Sequence, residues 1–418
     1  MKAHLTANEN GARPLEGIRV LDFTRVLSGP HCTRMLSDMG AEVIKLEPPE
    51  GDLTRFAFPR VGSMSTYFAQ QNIGKKNISM DLKKPEAIAL IKQLVLHCDI
   101  VVENFRAGVM DKLGIGYEVL SEINPRLIYA AISGYGNSGP WVHRRAYASV
   151  VNAETGLTGL QADARGGEVS NDPHSHADVY TGMEAASAIL AALFQRTQTD
   201  VGQYVDVSMA QTMLYVNEHV QNELFNRPVP ADQIRSFQPG EYPVLQTGDG
   251  RHVVISGHPA ERGTYDLFVK AMNKPEMFDD PRFSDVASRL ENFDDLLQIL
   301  IDWAAAMPTA DALEKVCADS GLAMGTVRTM EELAQTDWAI ARHVLIDADD
   351  RSGDTFRVPN SPWVFSGSNT STRGVPKFRG EDNAEVLTSI LGISAEDVQQ
   401  LTDSGALSIR LPKKYLTA

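Results

Sequence analysis

The stretch Ile18-Arg-Val-Leu-Asp-Phe23, with Cys32–Met39 and Glu42-Val-Ile-Lys-Leu46 after it, decides the fold of this chain. Its two outer runs are short and mostly apolar, the composition of strands buried in a sheet. Between them Val26–Pro30 reads as a turn and Cys32–Met39 as a helix that stops at Gly40, and Glu47-Pro48-Pro49 closes the second strand. Strand, helix and strand within about 30 residues make a βαβ unit, which requires a parallel sheet with a right-handed crossover.

The alternation recurs downstream. Helical Pro85–Cys98 precedes a strand at Asp99–Glu103, and helical Tyr117–Ile123 precedes a strand at Leu127–Ile132. The expectation is a doubly wound α/β domain whose ligands gather beyond the carboxyl ends of the strands. Those ends carry Thr24–Gly29, Glu47–Gly51, Asn104–Gly108 and Ser133–Gly139. Gly134-Tyr-Gly-Asn-Ser-Gly139 matches the dinucleotide fingerprint, but it is not the first βα turn. Pro140-Trp141 follow it where a helix should open, and no acidic strand end appears about 20 residues on. It reads as a loop shaping some other pocket.

Val207–Phe225 is expected to be helical, after which Asn226–Gly240 turns rich in Pro, Gln and Asp. Gln246–Ile255, with Thr247-Gly-Asp-Gly250, reads as a β-hairpin that opens a smaller domain. Helices around Tyr265–Met272, Phe293–Ala306 and Thr309–Ser320 and a strand at Thr326–Thr329 continue it. From Gln335 short strands at Val344–Ala348 and Phe356–Val358, then helices near Glu381–Leu391 and Ala395–Leu401, form a tail that packs back on the first domain. The large domain is therefore assigned to 1–225 and 335–418, and the small α+β domain to 226–334.

With 418 residues and 43% hydrophobic content the chain has the composition of a globular protein of two domains or more. Met1–Leu15 is polar and has no secretory core, and no apolar run approaches the roughly 20 residues of a membrane span. Three scattered cysteines, Cys32, Cys98 and Cys317, give neither a disulfide framework nor a zinc set and suit a reducing cytoplasm. A net charge of −15 disfavours nonspecific binding to nucleic acid or membranes. An anionic ligand needs a local basic patch, for which Lys75-Lys76, Lys83-Lys84, Arg106 with Lys112, and Arg144-Arg145 are candidates.

One carboxylate stands out. Glu184–Phe194 is almost all Ala, Ile and Leu, too evenly apolar for a surface helix, and Asp178 stands at its entrance just ahead of Thr181 and Gly182. There it is either a helix cap or a carboxylate aimed and held ionised by helix amides. Asp172 precedes Pro173 in a loop and is the rival acid. His174 and His176 lack a third ligand at usable spacing, so no metal site is expected, and their loop is read as shaping a pocket beside Asp178.

The chain resembles the class III CoA-transferases, the CaiB/BaiF family of formyl-CoA transferases and 2-methylacyl-CoA racemases, nearly from end to end. The blocks that carry the resemblance are Pro14–Thr24, Gly29-Pro30, Gly40–Glu47, Gly51-Asp52, Asn77–Lys83, Asp99–Gly108, Asn124–Ile128, Ser133–Pro140, Ala177-Asp178, Thr181-Gly182 and Gly202–Asp206. The resemblance implies a Rossmann-like large domain built from both termini, a smaller middle domain and an interlocked homodimer. It places the family's aspartate nucleophile on Asp178 and implies acyl-CoA and free carboxylic acid as substrates, with no tightly bound cofactor beyond the coenzyme A of the substrate. It further implies that Val26, Leu27 and Ser28 lie along CoA near the thioester and that Met80 and Lys83 flank the adenine and its phosphates. Asn104 and Phe105 would lie beside pantetheine and adenosine, Lys112 and Arg145 beside phosphate, and Tyr147 near the active site. Pro48 replaces an Arg of the nucleotide end, and Lys112 an Arg whose bidentate geometry it lacks.

Three functions are compatible with the resemblance: CoA transfer, racemisation of a 2-methylacyl-CoA, and noncatalytic acyl-CoA binding. Racemases carry a His followed by an Asp where this chain has Tyr147 and Ala148, and His143 lies four residues out of register. Tyrosine, with an ordinary pKa of about 10, is a poor general base at neutral pH. Glu261 aligns only loosely with a racemase glutamate. CoA transfer is therefore the expected activity. The segment Phe237-Gln-Pro-Gly-Glu-Tyr242 has one glycine where formyl-CoA transferases have a run of them, which argues against formate and oxalate as substrates.

Overall fold

A computed structural model describes residues 11–410 apart from 165, 219, 225–229 and 231–241. The boundary expected after Phe225 and the glycine-poor segment 237–241 lie outside the described residues. The chain divides into two compact units. The larger comprises residues up to Gly159, Ser170–Glu218 and Asp337 onward, and the smaller comprises Leu160–Val169 and His219–Thr336.

In the larger unit six strands form one sheet: β1 (Arg19–Asp22), β2 (Glu42–Glu47), β3 (Lys76–Ser79), β4 (Ile100–Glu103), β5 (Ile128–Ser133) and β6 (Tyr204–Ser208). Their order is β3-β2-β1-β4-β5-β6, and every neighbouring pair is parallel. In register Val20 stands beside Val43 on one side and Ile100 on the other. The order reverses between β1 and β4, the topological switch point where such sheets bind ligands.

Both faces of the sheet are covered, which explains strands that are almost continuously apolar. Because side chains alternate, Val20 and Val43 face one layer with helices α1 (Ser28–Asp38) and α5 (His176–Thr199), while Leu21 and Ile44 face the other. That second layer contains α2 (Pro85–Val95), α3 (Tyr117–Ile123) and the C-terminal helix Asn383–Leu391. Between α3 and α5 lies the short α4 (Ala148–Glu154), and α6 (Met209–Tyr215) follows β6. The C-terminal segment also blunts the free edge of β3. Asn77 N–H donates to the Asp382 carboxylate at 2.7 Å, Ser79 N–H to Asn383 Oδ1 at 2.9 Å, and Ser408 N–H to Ser79 O at 3.0 Å.

Among the described residues α5 alone is long and apolar enough to cross a bilayer, a length the run Glu184–Phe194 does not show by itself. It nonetheless packs as a core helix, with Ala185, Ala186 and Ile189 fully buried against α1 and the sheet. Two expected elements differ. Val207 and Ser208 end β6, and Ser208 Oγ then accepts from Gln211 N–H to cap α6, so the helical stretch starts later, breaks after Tyr215 and resumes in a short helix at Val220–Leu224. Thr326 ends a strand begun at Met324, while Thr329 forms a capping box with Glu332 and opens the helix Met330–Ala334.

The smaller unit has an antiparallel sheet in the order Met324–Thr326, His252–Ile255, Val244–Gln246. Helices Arg262–Met272, Phe293–Ala306 and Ala310–Ser320 cover it, burying Leu245, Val253, Phe268, Leu300 and Leu313. In its hairpin turn Gly250 takes a φ of +81°, and its N–H donates to Thr247 O at 2.8 Å.

Candidate active site

The loops that leave β1 and β4 meet at the switch point, and one side chain ties them. Arg25 N–H donates to Asn104 Oδ1 at 2.8 Å, while Asn104 Nδ2 donates to Arg25 O at 2.8 Å and to Ser28 Oγ at 3.3 Å. Above this junction opens a cleft of about 1100 Å³, its mouth included. Val26, Ser28, Asn104, Phe105, Arg145, Tyr147 and Asp178 all line it. Seven of the residues selected from the sequence thus share one cavity, although they span some 150 positions of chain.

The β1–α1 loop holds its shape by charge. Val26 adopts a φ of +67°, a costly conformation for a β-branched residue, on the order of 1–3 kcal/mol. Its N–H points at the Asp52 carboxylate, 3.2 Å from one oxygen. Asp52 is ion-paired with Lys45 at 3.2 Å, and Lys45 Nζ donates to Thr24 O at 2.7 Å. Asp22 accepts from Thr24 N–H at 2.8 Å and pairs with Lys75 at 3.2 Å, both side chains being buried. Lys75 therefore belongs to a buried network and not to a basic surface patch, and Lys76 is taken up by Glu42 and Glu385.

Asp178 is the third residue of α5, because the helix begins at His176. It does not cap its own helix. Its carboxylate lies instead beside the N–H and hydroxyl of Ser28 and the N–H of Ala148, the first residues of α1 and α4, whose influence favours its charged form. Two neighbouring helix N-termini thus converge on one acid, where their free amides and positive dipole ends favour negative charge. Burial acts in the opposite direction and prevails, pushing Asp178 up to about 6. The carboxylate is ionised in most molecules at pH 7, but less firmly than a helix-entrance acid was expected to be.

A glycine makes this meeting possible. A Cβ at Gly182, one turn after Asp178, would lie 2.6 Å from Ser28 O and 3.2 Å from the His31 ring. The bare backbone lets α1 approach the first turn of α5 closely enough for Ser28 to reach the acid. Tyr67, half-buried, is a further neighbour: burial first, then the charges of Asp178 and Asp52, push its phenol up to about 12. Nothing in the sequence around Thr66-Tyr67-Phe68 marks it, and the Ala148 amide has no side-chain signature at all.

Other selected residues lie elsewhere. Leu27 is buried at the N-cap of α1, and Met80 is fully buried in the second layer, bridged to Leu407, so neither side chain lines the cleft. Lys83 and Lys112 are exposed outside its lining. Arg106 and Arg144 do line it, Arg144 pairing with Glu154 and lying over the Trp141 ring at 4.4 Å. The histidine loop does not shape the pocket. His174, His176 and Tyr180 stack in a column, with ring centroids 5.8 and 5.5 Å apart, beside Asp172, and none of them lines the cleft. The glycine-rich loop does contribute, through Gly134 and Tyr135. It is pinned to β6 by Asn137 N–H donating to Asp206 at 2.8 Å.

With the geometry in hand, known proteins place the chain. The family described as CoA-transferase family III matches residues 15–383. The beta subunit of succinyl-CoA–L-malate CoA-transferase from Chloroflexus aurantiacus is 31% identical over 93% of this chain and 96% of its own. Succinyl-CoA:glutarate CoA-transferase of Mus musculus is 30% identical over 94% and 90%. A crystal structure of a CAIB/BAIF family protein from Brucella suis superposes with a TM-score of 0.77 at 29% identity, covering 91% of this chain and all of that one. A sheet with the Rossmann switch point, a half-buried acid lining the cleft there and relatives that match along nearly their whole length agree: this chain belongs to CoA-transferase family III and is an enzyme of that class.

Proposed function

We propose that the protein moves CoA from an acyl-CoA to a free carboxylic acid through covalent intermediates on Asp178. The observation that carries this reading is a carboxylate that lines the switch-point cleft together with Ser28, beside the N-termini of two helices. One Asp178 oxygen attacks the thioester carbonyl carbon, the C–S bond breaks, and CoA thiolate leaves behind a mixed anhydride. The thiolate then attacks the aspartyl carbonyl, releasing the donor acid and forming an aspartyl-CoA thioester. The acceptor carboxylate attacks that thioester and expels thiolate. Thiolate takes the acyl group from the second anhydride, and Asp178 is restored. No net proton is needed at any step.

In two of these steps negative charge develops on the aspartyl oxygen. The N–H and hydroxyl of Ser28 and the N–H of Ala148 lie beside it and favour its negative form, the role of an oxyanion hole. Val26, Leu27, Ser28, Asn104 and Phe105 are proposed to border the pantetheine arm, with Tyr147 near the reacting carbon. Arg145, Lys83 and Lys112 are proposed to meet the phosphates, and the backbone around Met80 the adenine. Both relatives named above transfer CoA from succinyl-CoA to a dicarboxylic acid. Arg25 and Arg106 in the lining suit a second carboxylate, so dicarboxylic acids are the proposed substrates. We also propose the family's interlocked homodimer, which sedimentation at twice 45.8 kDa tests. A cytoplasmic site of action is supported by three buried, unpaired cysteines.

Asp178→Asn is the decisive variant. It should retain CoA binding and lose exchange of label between acyl-CoA and free acid by more than about a thousandfold, as removal of a covalent nucleophile does. Hydroxylamine should release CoA from wild type incubated with acyl-CoA and from the variant release none. Exchange at wild-type rate in the variant would exclude Asp178 as nucleophile.

A further inference from the structure

A second cleft of the larger unit lies past the carboxyl end of β2, lined by Arg55, Arg60, Phe56, Phe378, Arg379 and Arg410, with Glu50 its only acid. Its arginines differ sharply in how they are satisfied. Arg55 is bound to Glu47 through two contacts, 2.8 and 2.5 Å, and lies over the Phe68 ring. Among the described residues Arg60 donates only to the Arg55 carbonyl, at 3.1 Å. Arg379 and Arg410 form no side-chain ion pair among the described residues, and the Arg379 Nε is buried without a hydrogen-bond partner.

These two guanidinium groups are also held together. Arg379 and Arg410 face each other across an isolated β-bridge, with Arg410 N–H donating to Arg379 O at 2.9 Å. Like charges directly opposite on paired strands repel, and a buried donor without an acceptor costs its desolvation. Glu50 lines the cleft and Glu47 lies near, yet among the described residues neither forms an ion pair with Arg379 or Arg410. Burial, with the Arg410 and Arg55 charges, lowers the Arg379 pKa against the opposing charges of Glu47 and Glu50.

We propose that Arg379 and Arg410, with Arg60 at the rim, bind a phosphate group. Several guanidinium groups converging on one open space match the multiple acceptor oxygens of a phosphate, and their delocalised charge suits this recognition. Two sources share that chemistry: free phosphate or pyrophosphate, and the 3′-phosphate of CoA, whose adenine the reading above places at the backbone around Met80, bridged to Leu407 close in sequence to Arg410. The second source rests on the function proposed above.

The test is calorimetric titration of the full chain, in phosphate-free buffer, with inorganic phosphate, pyrophosphate and adenosine 3′,5′-bisphosphate. At least one probe should bind wild type, and the double variant Arg379→Gln with Arg410→Gln should weaken it tenfold or more. Because the substitutions remove a repulsion, the double variant should melt no lower than wild type without ligand, and should lose the rise in Tm that the probe gives wild type. Binding of the bisphosphate alone identifies the nucleotide source, and equal binding of pyrophosphate identifies free phosphate. Absence of binding to wild type, unchanged affinity in the double variant, or a lower Tm without ligand each overturns the proposal. Asp178→Asn should bind the same probe as wild type does, so loss of label exchange and loss of this site are separately visible.

Discussion

A carboxylate proposed as nucleophile must be charged yet shielded from water, and at Asp178 these two conditions come from different neighbours. Burial alone would neutralise it, and the nearby Ser28 and Ala148 oppose that tendency. In the proposed mechanism the ionised form attacks, so exchange measured as kcat/KM should rise with pH, with a midpoint near the acid's value of about 6, and level off above it. Ser28→Ala removes a donor to the charged form. It should move the midpoint upward and lower the rate at pH 6 by about one to two decades, in line with the roughly 1.5–3 kcal/mol of a hydrogen bond to a charged group. Ser28→Thr keeps the hydroxyl and should restore the profile, whereas a midpoint unmoved by Ser28→Ala would remove Ser28 from the mechanism. The same raised pKa means that Asp178 contributes stability only below its unfolded value and loses it as pH rises through about 6. Asp178→Asn should accordingly melt higher than wild type at pH 8. Asp178 was legible through the motif around it. The Ser28 contact was not, since the two residues lie 150 positions apart and only the fold brings them together.

At the scale of elements the site depends on how closely α1 crosses the first turns of α5. Gly182 sets that distance, with a substituted Cβ falling 2.6 Å from Ser28 O. Gly182→Ala must push the α1 N-terminus away from Asp178. Overpacking of this kind costs about 1–3 kcal/mol. Misplacing donors by a fraction of an ångström should lower the exchange rate by roughly ten- to a hundredfold. CoA affinity, which draws on contacts along the whole cleft, should change little, so that a fall in kcat with KM preserved separates positioning from binding. Strands β1, β2, β4 and β5 and their helices were readable because each of these strands is buried on both faces and each helix has its own apolar period, whereas the short, polar β3 gave no such signal. Less readable were β6 and the helix at Met330, where Ser208 and Thr329 act as caps that a hydrophobic pattern does not register. The histidine loop was misassigned for a related reason. Proximity in sequence to Asp178 does not fix direction, and residues two apart on a helix point to nearly opposite sides.

Across the larger unit the deepest feature is a chain of buried charges that runs from Lys75 and Asp22 through Thr24 and Lys45 to Asp52 and Val26. Sequence patterning read these positions as strand interior or surface lysine, because a buried pair becomes visible only when both partners are placed. The network forms under the β1–α1 loop and holds Val26 in its left-handed conformation, so stability of the sheet and placement of Ser28 on Asp178 share one support. Lys45→Met leaves Asp52 buried without its cation, a loss of about 3–5 kcal/mol for a broken buried pair. Asp52 is held down at about 2 by Lys45 and by donors from Thr54, against an ordinary value of 3.8. Its contribution is therefore complete above pH 4 and disappears as pH falls through about 2. Wild type should keep this part of its stability down to that range. In Lys45→Met the Asp52 pKa rises, the carboxyl takes up a proton at higher pH, and the contribution of the pair is absent even at neutrality. Denaturant melts at pH 7 and pH 4 measure both effects: the variant should be less stable at pH 7 by the stated amount and should recover part of that deficit at pH 4, where its Asp52 takes up a proton, whereas in wild type this pair contributes equally at both pH values. Equal stability of the two proteins at pH 7 would mean that Lys45 contributes nothing to the loop beneath the active site, and the exchange rate of the variant, expected to fall with the displaced Ser28, would then be unaffected as well.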